Sequence, residues 1–224
     1  MMKMKTLYNK FDKTKISNLP KVIFEGQIET ISTESEAKRA VRFLMKQPVL
    51  GLDTETRPCF KRGHVNKVSL LQVSTPDVCF LFRLNHLGMP ACILRLLTDK
   101  KVLKIGLSWK DDLAMLRRRK EFEPGVFVEL QDFARRFGIE DMSLQKLYAN
   151  VFGQKISKGQ RMTNWDVDEL TLAQKKYAAT DAWACIRLYE ELCRLKRVGY
   201  HLIVLPQEKT EQINNEETAV SKEG

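Results

Sequence analysis

The segment V-L-G-L-D-T-E-T at residues 49–56 constrains this chain more than any other. It begins as an apolar run and ends in two carboxylates, Asp53 and Glu55, two positions apart. A short apolar run of this kind reads as a buried strand, and along a strand the side chains at i and i+2 share a face. Carboxylates set side by side repel each other, and burying the pair is costly unless a cation or protons neutralise it. A divalent metal is the natural partner, because Mg²⁺ and Mn²⁺ prefer oxygen ligands. Taken alone, the motif also reads as a solvated D-x-E at a strand end.

The flanking pattern predicts how that strand is housed. Residues 22–32 read as strand, turn and strand. Thr33 then opens a helix, with Glu36 three residues on as a capping box and Ala37, Ala40, Val41 and Leu44 as its apolar stripe. Residues 67–74 and 78–84 form a hairpin about Thr75-Pro76-Asp77. Helices follow at roughly 89–98, 111–119, 132–137 and 143–152, with short strands at 102–106 and 126–130. A polar loop, 153–170, leads to a long helix from Leu172 to about Val198, capped by Thr171 and Gln174 and stopped by Gly199. Antiparallel strands followed by alternating helices and strands give a mixed α/β sheet flanked by helices. We divide the chain into a basic N-terminal extension (1–21), one domain (22–206) and a polar tail (207–224) expected to be disordered.

A length of 224 residues suits one domain with a substantial core. No run of about 18 apolar residues is present, and the N-terminus lacks the apolar stretch of a signal peptide, so a cytoplasmic location is expected. Five cysteines without a C-x-x-C pair are read as reduced, mostly core residues, and three scattered histidines as surface or loop residues. The net charge of +10 favours a polyanionic partner such as nucleic acid. An acidic metal site inside a basic protein is what a phosphodiester-cleaving enzyme requires.

Further acids stand where they could complete such a site. Asp111 and Asp112 begin the helix after V-L-K-I-G, a place where acids also serve as caps. Tyr177 and Asp181 are four apart on the long helix and share a face, beside the small residues Ala178, Ala179 and Ala182. Carboxylates from three distant segments plus a phenol suit cleavage assisted by two metal ions.

These segments resemble the DEDDy 3′-5′ exonucleases, the family of ribonuclease D and Werner-type exonuclease domains. The matching blocks are D-T-E-T (53–56), K-V-S-L-L-Q-V-S (67–74), K-I-G-L-S-W-K-D-D-L-A-M-L (104–116), V-F-V-E-L-Q-D (126–132), S-L-Q-K-L (143–147) and T-N-W-D…L-T-L-A-Q-K-K-Y-A-A-T-D-A (163–182). The resemblance implies a ribonuclease H-like (DnaQ-like exonuclease) fold and 3′-5′ hydrolysis of nucleic-acid ends with two divalent ions, Mg²⁺ or Mn²⁺. It makes Asp53, Glu55, Asp112 and Asp181 the metal-holding acids, and Asp112 rather than Asp111 because the family's acid stands just before the apolar positions taken here by Leu113 and Leu116. By the same resemblance Asp53, Glu55 and Asp181 hold the ion carrying the attacking water, Asp53 bridges to the second ion, Asp112 supports it, and Tyr177 orients the nucleophile. Lys176 stands where the sister group has its histidine.

Lys61, Arg62 and Lys67 follow the first acidic motif, and Lys155, Lys158 and Arg161 precede the last. All six are candidates for phosphate contacts. Trp165 either stacks on a base or ribose or packs the loop against the domain. Arg117, Arg118, Arg119 and Lys120 read as a solvated helix end. The rival functional readings are a catalytically silent nucleic-acid-binding module on the same fold, and an endonuclease on a ribonuclease H-like scaffold.

Overall fold

The computed structural model describes residues 4–61 and 63–205; Arg62 and the polar tail expected from residue 207 lie outside them. In chain order the elements are β1 (Lys5–Tyr8), α1 (Lys13–Ile16), β2 (Gln27–Ile31), α2 (Glu34–Leu44), β3 (Val49–Thr56), β4 (Val68–Ser74), β5 (Val78–Arg83) and α3 (Leu84–Leu87). There follow α4 (Ala91–Thr98), β6 (Leu103–Gly106), α5 (Trp109–Arg117), β7 (Phe127–Glu129), α6 (Leu130–Arg135), α7 (Leu144–Phe152), α8 (Leu172–Val198) and β8 (Tyr200–Ile203).

Six strands form one mixed sheet in the order β2-β5-β4-β3-β6-β7. The β3-β4-β5 meander is antiparallel, while β2, β6 and β7 join parallel to their neighbours. Alternation along β3 assigns its two faces. Leu50 and Leu52 enter the apolar layer shared with α2, α4 and the buried Trp109 and Leu116 of α5. Gly51, Asp53 and Glu55 face the other way, towards α8. Both capping boxes form: Glu36 N–H donates to Thr33 Oγ1 at 3.3 Å, and Gln174 N–H donates to Thr171 Oγ1 at 3.2 Å. The apolar stripe Ala37, Ala40, Val41 and Leu44 is buried.

The helix that carries Tyr177 and Asp181 lies close against the sheet. A Cβ on Gly51 would meet the Ala182 carbonyl oxygen at 2.0 Å, so only glycine fits there. Small residues on both partners bring the backbone of α8 down onto β3, and that approach delivers Asp181 to Asp53.

Two features correct the sequence reading. Residues 22–26 are not a strand, because their backbone bonds are used elsewhere: Val22 N–H donates to the Lys155 carbonyl at 3.0 Å and Phe24 N–H to Thr180 Oγ1 at 3.0 Å. The segment before residue 22 contains β1, which pairs in parallel with β8 and buries Leu7. Neither of these four-residue strands carries a strong alternation of its own; each is set by its distant partner.

Candidate active site

Asp53 and Glu55 end β3 at the edge of the sheet where β3 and β6 both finish, the place where open α/β sheets form their sites. Asp181 comes down from α8. One carboxylate oxygen from each of Asp53, Glu55 and Asp181 lies within 4.8 Å of the others. Glu55 is 9% exposed and Asp181 5%. Asp181 Oδ1 is buried and, among the described residues, has no hydrogen-bond partner.

Asp112 reaches the same cleft from the opposite layer. It sits in the first turn of α5, and its Oδ1 accepts a hydrogen bond from Thr54 Oγ1. Asp111 is exposed, whereas Asp112 lines the cleft. The start of α5 is held by a residue the sequence reading passed over. Glu129, at the end of β7, accepts from the backbone N–H groups of Ser108 at 2.9 Å and Trp109 at 2.6 Å. Ser108 is left-handed with φ 59°, the price of so tight a strand-to-helix turn. The signal was available as an acid closing the short strand V-F-V-E.

Burial raises every carboxyl in the cluster, and repulsion from neighbouring acids adds to it at Asp53, Glu55 and Asp112. Burial is the larger cause for Asp53, with Asp181 adding to it. Glu55 is raised by burial and then by Asp53, Asp181 and Asp112, against a smaller pull downward from Arg161. Asp112 is raised by burial and by Asp53, partly offset by its Thr54 bond. Burial also raises Asp181, opposed by the Tyr177 hydroxyl. Converging, buried carboxylate oxygens held above their ordinary range suit a hard divalent cation, whose charge would reverse these shifts.

Tyr177 is 8% exposed and packs against Trp165, with ring centroids 6.1 Å apart. Burial first, then Asp181 and Glu55, push its phenol far above the usual range. Trp165 is 0% exposed. Its packing reading holds and its stacking reading does not, because no ring face is open to a base. Arg83, 1% exposed, explains how the loop is pinned: Nη1 donates to the Asp168 carbonyl at 3.0 Å and Nη2 to the Val167 carbonyl. Gln174, the cap residue of α8, donates to Thr163 Oγ1 at 3.1 Å and to the Asn164 carbonyl at 3.0 Å.

The cleft has a volume of about 340 Å³. Of the five basic candidates among the described residues, Lys158 and Arg161 line it. Lys155 does not, since its Nζ donates to the Ser17 carbonyl. Lys61 and Lys67 are exposed in the β3–β4 loop, outside the cleft lining. Gln145 and Cys185 line the cleft and were not anticipated.

The 3′-5′ exonuclease family model matches residues 28–195, which contain all four acids and Tyr177. The chain belongs to the 3′-5′ exonuclease family. Among its relatives, the mouse bifunctional 3′-5′ exonuclease/ATP-dependent helicase WRN is 30% identical over 214 residues, covering 88% of this chain and 15% of the relative. The mouse exonuclease 3′-5′ domain-containing protein 2 is 29% identical over 210 residues, covering 86% and 31%. The chain therefore spans less than a third of the length of these two relatives. The Nibbler EXO domain of Aedes aegypti superposes with a TM-score of 0.70 at 20% identity, covering 79% of this chain and 92% of that one. Escherichia coli RNase D superposes with a TM-score of 0.69 at 19% identity, covering 77% and 46%. The fold is that of these exonucleases, ribonuclease H-like, as the sequence predicts. Among the described residues, no helix is long and apolar enough to cross a membrane.

Proposed function

We propose that this chain itself hydrolyses the 3′-terminal phosphodiester bond of a nucleic-acid strand and releases nucleoside 5′-monophosphates one at a time. The observation that carries the reading is the convergence of Asp53, Glu55 and Asp181 within 4.8 Å, in a cleft that Tyr177, Lys158 and Arg161 also line. A binding-only module has no use for a cluster of repelling buried acids, which disfavours the silent alternative.

Asp53, Glu55 and Asp181, with Asp112 beside them, would hold the divalent ions; Mg²⁺ or Mn²⁺ fits an all-oxygen set. When bound, the ions supply an activated water and charge stabilisation at the leaving oxygen. The residues do the rest. Lys158 and Arg161 bind the phosphates of the incoming strand. The Tyr177 hydroxyl keeps its proton, because its buried and acid-lined surroundings oppose a phenolate, so it orients the attacking water by hydrogen bonding rather than acting as a base. Water attacks the terminal phosphorus in line and gives up a proton as its bond to phosphorus forms; the phosphorus–oxygen bond to the 3′ oxygen of the penultimate nucleotide breaks, and that oxygen takes up a proton from solvent. A nucleic-acid substrate is further supported by a structural neighbour, the Trypanosoma brucei RNase D in complex with RNA U12, at a TM-score of 0.66. All five cysteines are free, which fits a reducing compartment such as the cytoplasm.

The test uses a 5′-labelled linear strand and a closed circle incubated with Mn²⁺. Stepwise shortening of the linear strand alone, abolished by Asp53→Asn and by chelator, is the expected result. Cleavage of the circle, or shortening that persists in excess chelator, overturns the reading.

A further inference from the structure

Behind Tyr177 lies a second groove of about 460 Å³ that the acid chemistry does not use. Resting on the exonuclease reading above, we propose that this groove holds a nucleoside unit of the substrate strand upstream of the reacting end. Tyr177 lines both cavities and is the wall between them. The strap of residues 156–161 is likewise shared. Lys158 and Arg161 line the acidic cleft, whereas Ile156, Ser157 and Gln160 line the groove. One short segment thus serves two adjoining cavities, and a strand leaving the cleft past its basic lip meets the groove next.

The groove's chemistry suits a nucleotide. Val22, Ile23, Ile156 and Leu172 make an apolar floor, and Lys21 and Lys176 line it as well. Among the described residues no carboxylate lines it, in contrast to the cleft on the other side of Tyr177. An apolar floor with two cations matches an amphiphilic ligand that joins a flat base to an anionic backbone. Leu172 is 67% exposed at the first position of α8, a large apolar side chain placed where solvent alone would favour a polar one.

The groove is also built in advance. Residues 20–24, which the sequence assigned partly to a strand, are zipped onto its two sides instead. Lys155 N–H donates to the Pro20 carbonyl at 2.9 Å and Val22 N–H to the Lys155 carbonyl at 3.0 Å. On the α8 side Phe24 N–H donates to Thr180 Oγ1 at 3.0 Å, and that hydroxyl donates to the Lys176 carbonyl at 2.6 Å. A single parallel bridge, Lys21 to Lys155, takes the place of a full strand and holds the segment along a cavity whose shape does not wait for a ligand.

The test is fluorescence anisotropy with 5′-labelled single strands graded in length from a dinucleotide upward, in excess chelator so that nothing is cleaved. Ala173 is exposed and lines the groove, so Ala173→Trp fills the groove without entering the core. Lys21 is exposed too, and Lys21→Glu reverses its charge by an independent route, should the first variant fold poorly. Wild type is expected to gain affinity once the strand is long enough to reach the groove. Both variants should lose that gain, roughly tenfold for one displaced base, and bind the dinucleotide as wild type does. Equal affinities at every length, or a loss that includes the dinucleotide, overturn the proposal. Adding Mn²⁺ to the same strands separates the two readings: mononucleotide release with no length-dependent loss sinks the groove alone, and the length-dependent loss with no release sinks the exonuclease reading alone.

Discussion

Replacing Asp181 with Asn should make the metal-free protein more stable while destroying its function. Asp181 is 5% exposed, its Oδ1 has no partner among the described residues, and its neighbours include Asp53 and Glu55. Burial pushes its carboxyl from 3.8 up to about 7. At ~1.4 kcal/mol per pH unit this corresponds to about 4 kcal/mol of native-state penalty on the ionised form. The cluster shares its protons, so removal of one member recovers only part of it, about 1–3 kcal/mol. The sign follows from the direction of the shift. The folded chain keeps the proton to higher pH than the unfolded chain, so this group's contribution is fully present below about pH 4 and is lost as pH rises towards 7. Thermal unfolding in excess chelator should therefore show Asp181→Asn melting roughly 3–8 °C above wild type at pH 8. The gap should close on descent to pH 4. Saturating Mn²⁺ should reverse the order, because wild type gains by linkage and the variant, lacking one ligand, gains less. A variant less stable than wild type in chelator at pH 8 would refute the claim that burial of the ionised Asp181 carboxylate costs the fold stability.

Three further outcomes are expected. Tyr177→Phe keeps the ring against Trp165 and should lower kcat ~10²-fold with little change in KM, since a water-orienting bond acts mainly in the transition state; steady-state kinetics decide, and an unchanged kcat leaves Tyr177 a packing residue. Gly51→Ala drives a methyl into the Ala182 carbonyl and should destabilise the fold by about 1–3 kcal/mol, read by denaturant unfolding; an unchanged midpoint would mean that α8 does not sit so close to β3. Lys158→Ala with Arg161→Ala should flatten the plot of log affinity against log salt by about one to two in slope, whereas Lys155→Ala should leave it unchanged, because that amine is spent on the Ser17 carbonyl.

The sequence alone determined the elements whose signal is local. The capping boxes at Thr33 and Thr171, the apolar stripe of α2 and the full extent of α8 from Leu172 to Val198 all follow from periodicity and cap chemistry within a few residues. The acids needed more than local signal: a D-x-E closing an apolar strand also reads as a solvated pair, and it was the resemblance of the ordered blocks that singled out Asp53, Glu55, Asp112 and Asp181. Tertiary structure alone decided what depends on distant partners. β1 and β8 exist only as a pair, residues 20–24 line a groove because the strap and α8 satisfy their backbone, and Trp165 is a buttress because Arg83 and Gln174 draw its loop inward. Lysine candidates sort by the same rule: Lys155 and Lys158 are three residues apart, yet one is tied to the N-terminal segment and the other faces the acids. A charge on a loop carries no record of which way it points; that is fixed by whichever carbonyl or cavity the folded chain sets beside it.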